Sequence, residues 1–193
     1  MPPHPVSSGT EAGKAGGRVS LTEAEAFVIR LSLVGVRVEV GTSPPQPIVL
    51  LREDEGQRYL PIFIGTPEAT AIVYALQGMD TPRPMTHDLF KRVLDDQQVK
   101  LERVEITELH DGTFYAKLAL DREGERSTID SRPSDAIALA VRYGADVPIF
   151  ADESVLDEAG VLFDQEEEGQ EEEEQVEEFR EFIENVRPED FAQ

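Results

Sequence analysis

The sequence predicts an α+β fold with a largely antiparallel sheet. Three observations carry this. Short apolar runs of strand length are separated by tight polar turns. Helix-like segments open on Thr-Pro or Pro-Ser and close on glycine. These helical segments, two to four of them, fall between groups of strands rather than after every strand, which argues against an alternating parallel sheet.

Val34, Val36, Val38 and Val40 alternate with Gly35, Arg37 and Glu39, the period of a half-buried strand, so the ordered domain is expected to begin near Ile29. Ile48–Leu51 and Tyr59–Ile64 flank the polar turn REDEGQ and read as a hairpin. Thr66 reads as an N-cap with Pro67 at the first helical position, and Gly78 closes that helix. Its Ala69, Ile72, Val73 and Leu76 share one face, directed at the sheet. Thr86 reads as the N-cap of a second helix running to about Asp96, with Leu89, Phe90, Val93 and Leu94 inward.

Leu101, Val104, Ile106 and Leu109 form a long strand whose spacing shifts near Arg103, the mark of a bulge. Asp111-Gly112 is a hairpin signal, Phe114–Leu120 return, DREGE turns again and Ser127–Asp130 extend once more. Pro133 and Ser134 open a third helix that Gly144 ends. Val147–Phe150 read as a short final strand and Ser154–Ala159 as a short helix. PIFIGTPEATAIVYALQG and STIDSRPSDAIALAVRYG run in parallel at an offset of 66 residues. A duplicated strand–helix unit explains this echo, and so does ordinary capping chemistry.

Three segments are expected: an N-terminal arm over 1–28, a domain over 29–163 and an acidic tail over 164–193. The arm is rich in Pro, Gly and Ser, the composition of disorder, with a short helical turn at Leu21–Phe27. The tail holds a run of glutamates and then VEEFREFIENVRPEDF, where Val176, Phe179, Ile183 and Val186 recur at helical spacing beside Phe182. That amphipathic segment either docks on its own domain or engages a protein partner through residues 176–191.

The chain has no cysteine, which excludes disulfides, thiolate catalysis and zinc–thiolate sites and fits a reducing interior. It opens without the apolar run of a secretory signal and contains no stretch of membrane-spanning length, so a cytoplasmic protein with no membrane partner is the expectation. Net charge is -22. Residues 164–193 carry 14 acidic and 2 basic residues, and the remainder is acidic as well. Proteins that hold nucleic acid tightly present a basic face, so contact with RNA or DNA would use a local patch, a metal or weak association.

Reactive side chains gather in two segments. TPRPMTHDLF holds Arg83, His87 and Asp88. IDSRPSDAIALAVRYG holds Asp130, Arg132, Ser134 and Asp135. Both lead into helices, where groups stand on rigid supports. His87, Asp88, Asp130 and Asp135 are the candidate catalytic groups. Histidine moves protons near neutral pH, and carboxylates hold a divalent metal that activates water. Asp130 and Asp135 are the candidate ligands for Mg²⁺ or Mn²⁺. Arg83, Arg132 and Ser134 are the candidate substrate contacts, arginine gripping phosphate with two donors. Each also has a bland role: Asp88, Ser134, Asp135 and Glu68 suit helix starts by charge and capping, and Asp130 could simply pair with Arg132.

From about Val34 to Val161 the chain resembles the bifunctional nuclease domain family, through LPIFIGTPEATAI, TPRPMTHDLF, DGTFYAKL and IDSRPSDAIALAVR in the family's order. The resemblance implies an α+β domain with an internal duplication and nuclease activity on both DNA and RNA. The long acidic tail departs from the minimal domain. Three functions remain open: a metal-assisted nuclease, a non-catalytic regulatory module that works through its tail, and an enzyme on a smaller anion held by Arg132. Self-association into a dimer or larger homo-oligomer is expected.

Overall fold

The computed structural model describes residues 28–39 and 45–162. The expected helical turn at 21–27 and the tail helix lie outside them.

β1 (Val28–Glu39), β2 (Gln46–Glu53) and β3 (Arg58–Phe63) form an antiparallel meander that leads into α1 (Thr66–Leu76). After α2 (Thr86–Asp96), a second meander of β4 (Lys100–His110), β5 (Thr113–Arg122) and β6 (Glu125–Ser131) leads into α3 (Pro133–Tyr143). A 3-10 turn, β7 (Ile149–Asp152), α4 (Glu153–Ala159) and the two-residue β8 (Val161–Leu162) follow. The eight strands form one sheet in the order β6-β5-β4-β7-β1-β2-β3-β8. Each half is thus a three-strand meander followed by a helix, the arrangement foreshadowed by the 66-residue echo. The expected final strand turns out to be the central seam. β7 runs antiparallel to β1 and parallel to β4, the one parallel pair among the described strands.

Turn chemistry fixes the second meander. Asp111 and Gly112 both take positive φ, 49° and 74°, as do Glu123 and Gly124, 55° and 88°. Two successive left-handed residues give the twist that suits a two-residue hairpin loop. Asp121 Oδ1 accepts the Gly124 N–H at 3.1 Å and holds the second of these turns.

Register sets the faces. β1 shifts register between Leu33 and Gly35, so the half-buried valine alternation does not run unbroken. Leu31 and Leu33 point inward before the shift, Val36 and Val38 after it, and Val34 is left exposed at the bulge. β4 shifts between Leu101 and Arg103, as its spacing predicts, and again between Ile106 and Glu108. The inward set from every long strand meets α1, α3 and α4 in one core that includes Val49, Leu60, Val104, Ile106, Leu118, Ile149 and Leu156.

α3 lies at the centre of the helix layer. Five consecutive residues, Ala136–Ala140, are buried, because the sheet covers one side and α1 and α2 flank the helix. Its alanines, with Ala69 and Ala71 of α1, let the two helices approach closely. Gly144 takes φ 63° and ends α3, and Gly78 with φ 61° follows α1, as the sequence predicts.

Three expectations are corrected. Gly65 and Met85, not Thr66 and Thr86, are the N-caps of α1 and α2; each threonine is already the first helical residue. At α2 the reason is a cap supplied from the third helical residue, where Asp88 Oδ2 accepts the Met85 N–H at 2.8 Å. At α1 the Glu68 carboxylate folds back over Gly65, where a Cβ would lie 2.3 Å from Oε2. Leu76 is exposed rather than sheet-facing. On α2 only Leu94 is buried, while Leu89, Phe90 and Val93 face outward, because the helix meets α3 through its polar side.

Candidate functional site: three helix starts joined by Arg132, Asp135 and His87

The first turns of α1, α2 and α3 are alike. The third residue of each is an acid: Glu68, Asp88 and Asp135. Acids belong there because free N–H groups and the helix dipole favour negative charge. The fold then brings the three starts together through Arg132, the N-cap of α3. Arg132 Nη1 donates to Glu68 Oε1 at 2.9 Å, a residue 64 positions away. Its Nε donates to Asp135 Oδ2 at 2.8 Å and Nη2 to Asp135 Oδ1 at 3.2 Å, a two-pronged grip. His87 Nε2 lies 3.0 Å from Asp135 Oδ1 and closes the chain of contacts from α1 to α2.

The electrostatics follow from this arrangement. Burial works to raise the Asp135 carboxyl, but hydrogen bonds from Arg132 and His87, with their charges, outweigh it and hold the group below its ordinary range. The carboxylate is therefore ionised at neutral pH. An ionised carboxylate only accepts hydrogen bonds, so the ring nitrogen that faces it, His87 Nε2, carries a proton. The His87 side chain is only 13% exposed, whereas Arg132 is 65% exposed. The guanidinium spends three of its roughly five N–H donors on Glu68 and Asp135, which leaves donors directed elsewhere.

Asp88 faces a different cation. Arg142 Nε donates to Asp88 Oδ1, and Arg142 Nη1 donates to the Ala138 carbonyl at 2.7 Å. Burial opposes ionisation of Asp88, but the Arg142 hydrogen bond, the Met85 N–H and the charges of Arg142 and Arg92 hold its carboxyl low. With Arg142 just 7% exposed, this pair ties α2 to α3 from the inside. Farther along, Lys91 sits 4.3 Å from the centre of the Tyr143 ring, and Tyr143 Oη donates to Asp95 at 2.9 Å. Arg142 and Tyr143 were not foreseen as partners of α2, although an arginine closing a run of buried alanines was a sign of a buried charge partner.

The remaining expected residues are placed as follows. Ser134 is buried at the start of α3 beside Asp135. Arg83 is exposed on the loop between α1 and α2, with its carbonyl held by Thr81 Oγ1 at 2.6 Å. Asp130 is not brought to the cluster. It pairs with Lys117 in the sheet register and shares that face, while its neighbours Ile129 and Ser131 pair with Leu118 and Ala116 of the core face beneath the helices. An Asp130–Arg132 ion pair does not form; Arg132 turns to Glu68 and Asp135 instead. Nor does the fold join Asp130 to Asp135 as a pair of metal ligands, and among the described residues no three His, Asp or Glu side chains are grouped to hold a metal.

Sheet, helix layer and cluster together define an α+β domain with an ionic site built on helix starts. Residues 49–164 match the family described as bifunctional nuclease domain, and the chain belongs to that family. It is 45% identical over 163 residues to an uncharacterized protein of Mycobacterium tuberculosis, covering 82% of this chain and 95% of that protein. It is also 32% identical over 104 residues to bifunctional nuclease 2 of Oryza sativa subsp. japonica and 30% identical over 103 residues to bifunctional nuclease 2 of Arabidopsis thaliana. Those two matches cover 52% of this chain and 32% and 31% of the plant proteins, so the chain spans about a third of their length. No helix among the described residues is long and apolar enough to cross a membrane.

Proposed function

We propose that this protein is a nuclease that hydrolyses phosphodiester bonds of RNA and DNA at the meeting point of α1, α2 and α3. One observation carries the reading: a histidine held by an ionised carboxylate, His87 Nε2 to Asp135 at 3.0 Å, stands where three helix N-termini and the exposed Arg132 converge. Helix N-termini and an arginine fork favour a phosphate. His87 takes a proton from the attacking water. Asp135 positions the ring and stabilises its charged form, and Arg132 neutralises the phosphoryl oxygens. Asp88 acts through the placement of α2, and Arg83 and Ser134 contribute to the surroundings of the substrate. Family membership supports the reaction class, and the names of the plant relatives agree with it. A divalent ion, Mg²⁺ or Mn²⁺, enters this reading only as a requirement to be tested, since Asp130 and Asp135 do not form a donor set.

The test is turnover of labelled single-stranded RNA and DNA by wild-type and His87→Ala protein, with EDTA, Mg²⁺ and Mn²⁺ in separate arms. Cleavage that disappears in the folded variant supports the reading. Cleavage retained by His87→Ala places the chemistry elsewhere. Absence of turnover in every arm makes the cluster a structural clamp and favours the second reading, a non-catalytic interaction module. The outward apolar stripe of α2 is the observation on that side.

We also propose that the protein works in the cytoplasm as a homo-oligomer, with the exposed edge strand β6 as the surface for self-association. Sedimentation at two concentrations tests the second half of that proposal.

A further inference from the structure

α2 faces the domain with its polar side. His87, Asp88 and the Lys91–Asp95 pair meet Asp135, Arg142 and Tyr143 of α3. The opposite side carries Leu89, Phe90 and Val93, which are 57%, 38% and 47% exposed. Their spacing of one and four residues puts them on one stripe of the helix. Single exposed apolar residues are ordinary, but a contiguous stripe rimmed by polar groups marks a docking surface.

We propose that the occupant is the chain's own C-terminal segment Val176–Val186. Its Val176, Phe179, Phe182, Ile183 and Val186 repeat at three- and four-residue spacing, and so supply an apolar stripe of matching length. Glu177, Glu178 and Glu184 flank that stripe. On the domain, the exposed Arg92 flanks the α2 stripe, and Arg83 is exposed on the loop before it. The signs are complementary.

The tether reaches. From Leu162, where the described chain ends in β8, the residues before Val176 span up to roughly 45 Å when extended. A domain of this size has a radius of gyration of about 14 Å. Tethering also gives a high local concentration without an association step. A second copy is the weaker occupant. On this face it would set Arg92 towards its own counterpart, whereas the tail segment brings glutamates to it. Docked on α2, the segment lies on the helix that carries His87, and this holds whether or not the protein turns over nucleic acid.

The absence of cysteine makes the test clean. Full-length Val93→Cys/Ile183→Cys protein is oxidised under mild conditions and followed by non-reducing electrophoresis and intact mass, with far-UV circular dichroism to confirm folding. Val93→Cys/Glu181→Cys is the comparison, since Glu181 falls on the polar side of the segment. The intramolecular disulfide should form about tenfold faster in the first pair than in the second. Adding Phe179→Ser and Phe182→Ser should remove that advantage. Equal rates in the two pairs, disulfides between chains, or no disulfide in either pair would each overturn the proposal. Of these, cross-linking between chains would identify a second copy as the occupant.

Discussion

His87 and Asp135 lie 48 residues apart in the chain, and their side chains meet at 3.0 Å across the gap between α2 and α3. Each sits in the first turn of its helix, so two positive dipole ends face the same small region. Such a region is favourable for an anion. The carboxylate of Asp135 occupies part of it, and Arg132 extends the effect outward. The contact clamps two helices, and in the proposed reaction it also joins a proton acceptor to an anion grip. These two roles separate on mutation.

If His87 takes a proton in the reaction, His87→Ala should lower kcat by about 10²- to 10⁴-fold with little change in KM. Asp135→Asn should lower kcat by a smaller factor and also alter the pH–rate profile, since it removes the carboxylate that fixes which ring nitrogen carries the proton. Steady-state kinetics across pH check both. An Asp135→Asn profile that keeps its shape would mean that the carboxylate only clamps the helices. Asp130→Asn, on the other face of the sheet, should stay within about twofold of wild type.

Arg132→Ala should weaken nucleic-acid binding more than it slows turnover, and should reduce the slope of log K against log salt by about 1, the signature of one lost phosphate contact. Arg132→Lys should restore only part of the affinity, because a lysine cannot hold Asp135 with two donors and Glu68 with a third. Fluorescence anisotropy with labelled single-stranded RNA over a salt series measures this. An unchanged slope would remove Arg132 from the contact surface.

What could be read from the sequence was set by how local each determinant is. The Asp111-Gly112 hairpin, the stops at Gly78 and Gly144 and the bulge near Arg103 depend on neighbouring residues, and all were visible. The central place of β7 was hidden, because four residues say nothing about which strands they pair with. The outward stripe of α2 was hidden for another reason. Periodicity locates an apolar face but does not say what it faces, and here three polar ties to α3 decide the orientation. For the candidate site, the helix starts pointed to His87, Asp135 and Arg132, which the fold brings together. Strand parity then moved Asp130 away, since a one-residue step along β6 exchanges the two faces of the sheet.

Arg142 carries a prediction about stability. It is nearly buried, and Asp88 is its ionic partner. Arg142→Leu strands the Asp88 carboxylate and should cost about 2–4 kcal/mol, since removing one member of a buried pair leaves the other charge uncompensated. The double variant Arg142→Leu/Asp88→Asn should recover part of that loss, and urea denaturation of the four proteins forms a cycle that isolates the coupling. Additive losses would show that the pair contributes by packing alone.

The ionisable groups also set stability limits at both ends of the pH scale. In Asp135 and Asp88 burial opposes ionisation, but Arg132 and His87 for the first, and Arg142 and the Met85 N–H for the second, hold the carboxyls below their ordinary range. The Lys91 hydrogen bond holds Asp95 low, and the Arg58 hydrogen bond does so for Glu53. A depressed carboxyl binds fewer protons when folded than when unfolded. Its contribution is thus complete above the ordinary carboxylate range of about 4 and is lost as pH falls through the lowered value. The Tyr143 hydroxyl has the opposite sign. Burial, with its hydrogen bond to Asp95, pushes it up to about 12. Its contribution is complete below the ordinary tyrosine value of about 10 and is lost as pH rises towards 12. Urea midpoints should therefore fall on both sides of a broad plateau. Asp88→Asn with Asp135→Asn should flatten the acid side and leave the alkaline side intact, whereas Tyr143→Phe should flatten the alkaline side alone. An alkaline limb that persists unchanged in Tyr143→Phe would show that Tyr143 does not set it.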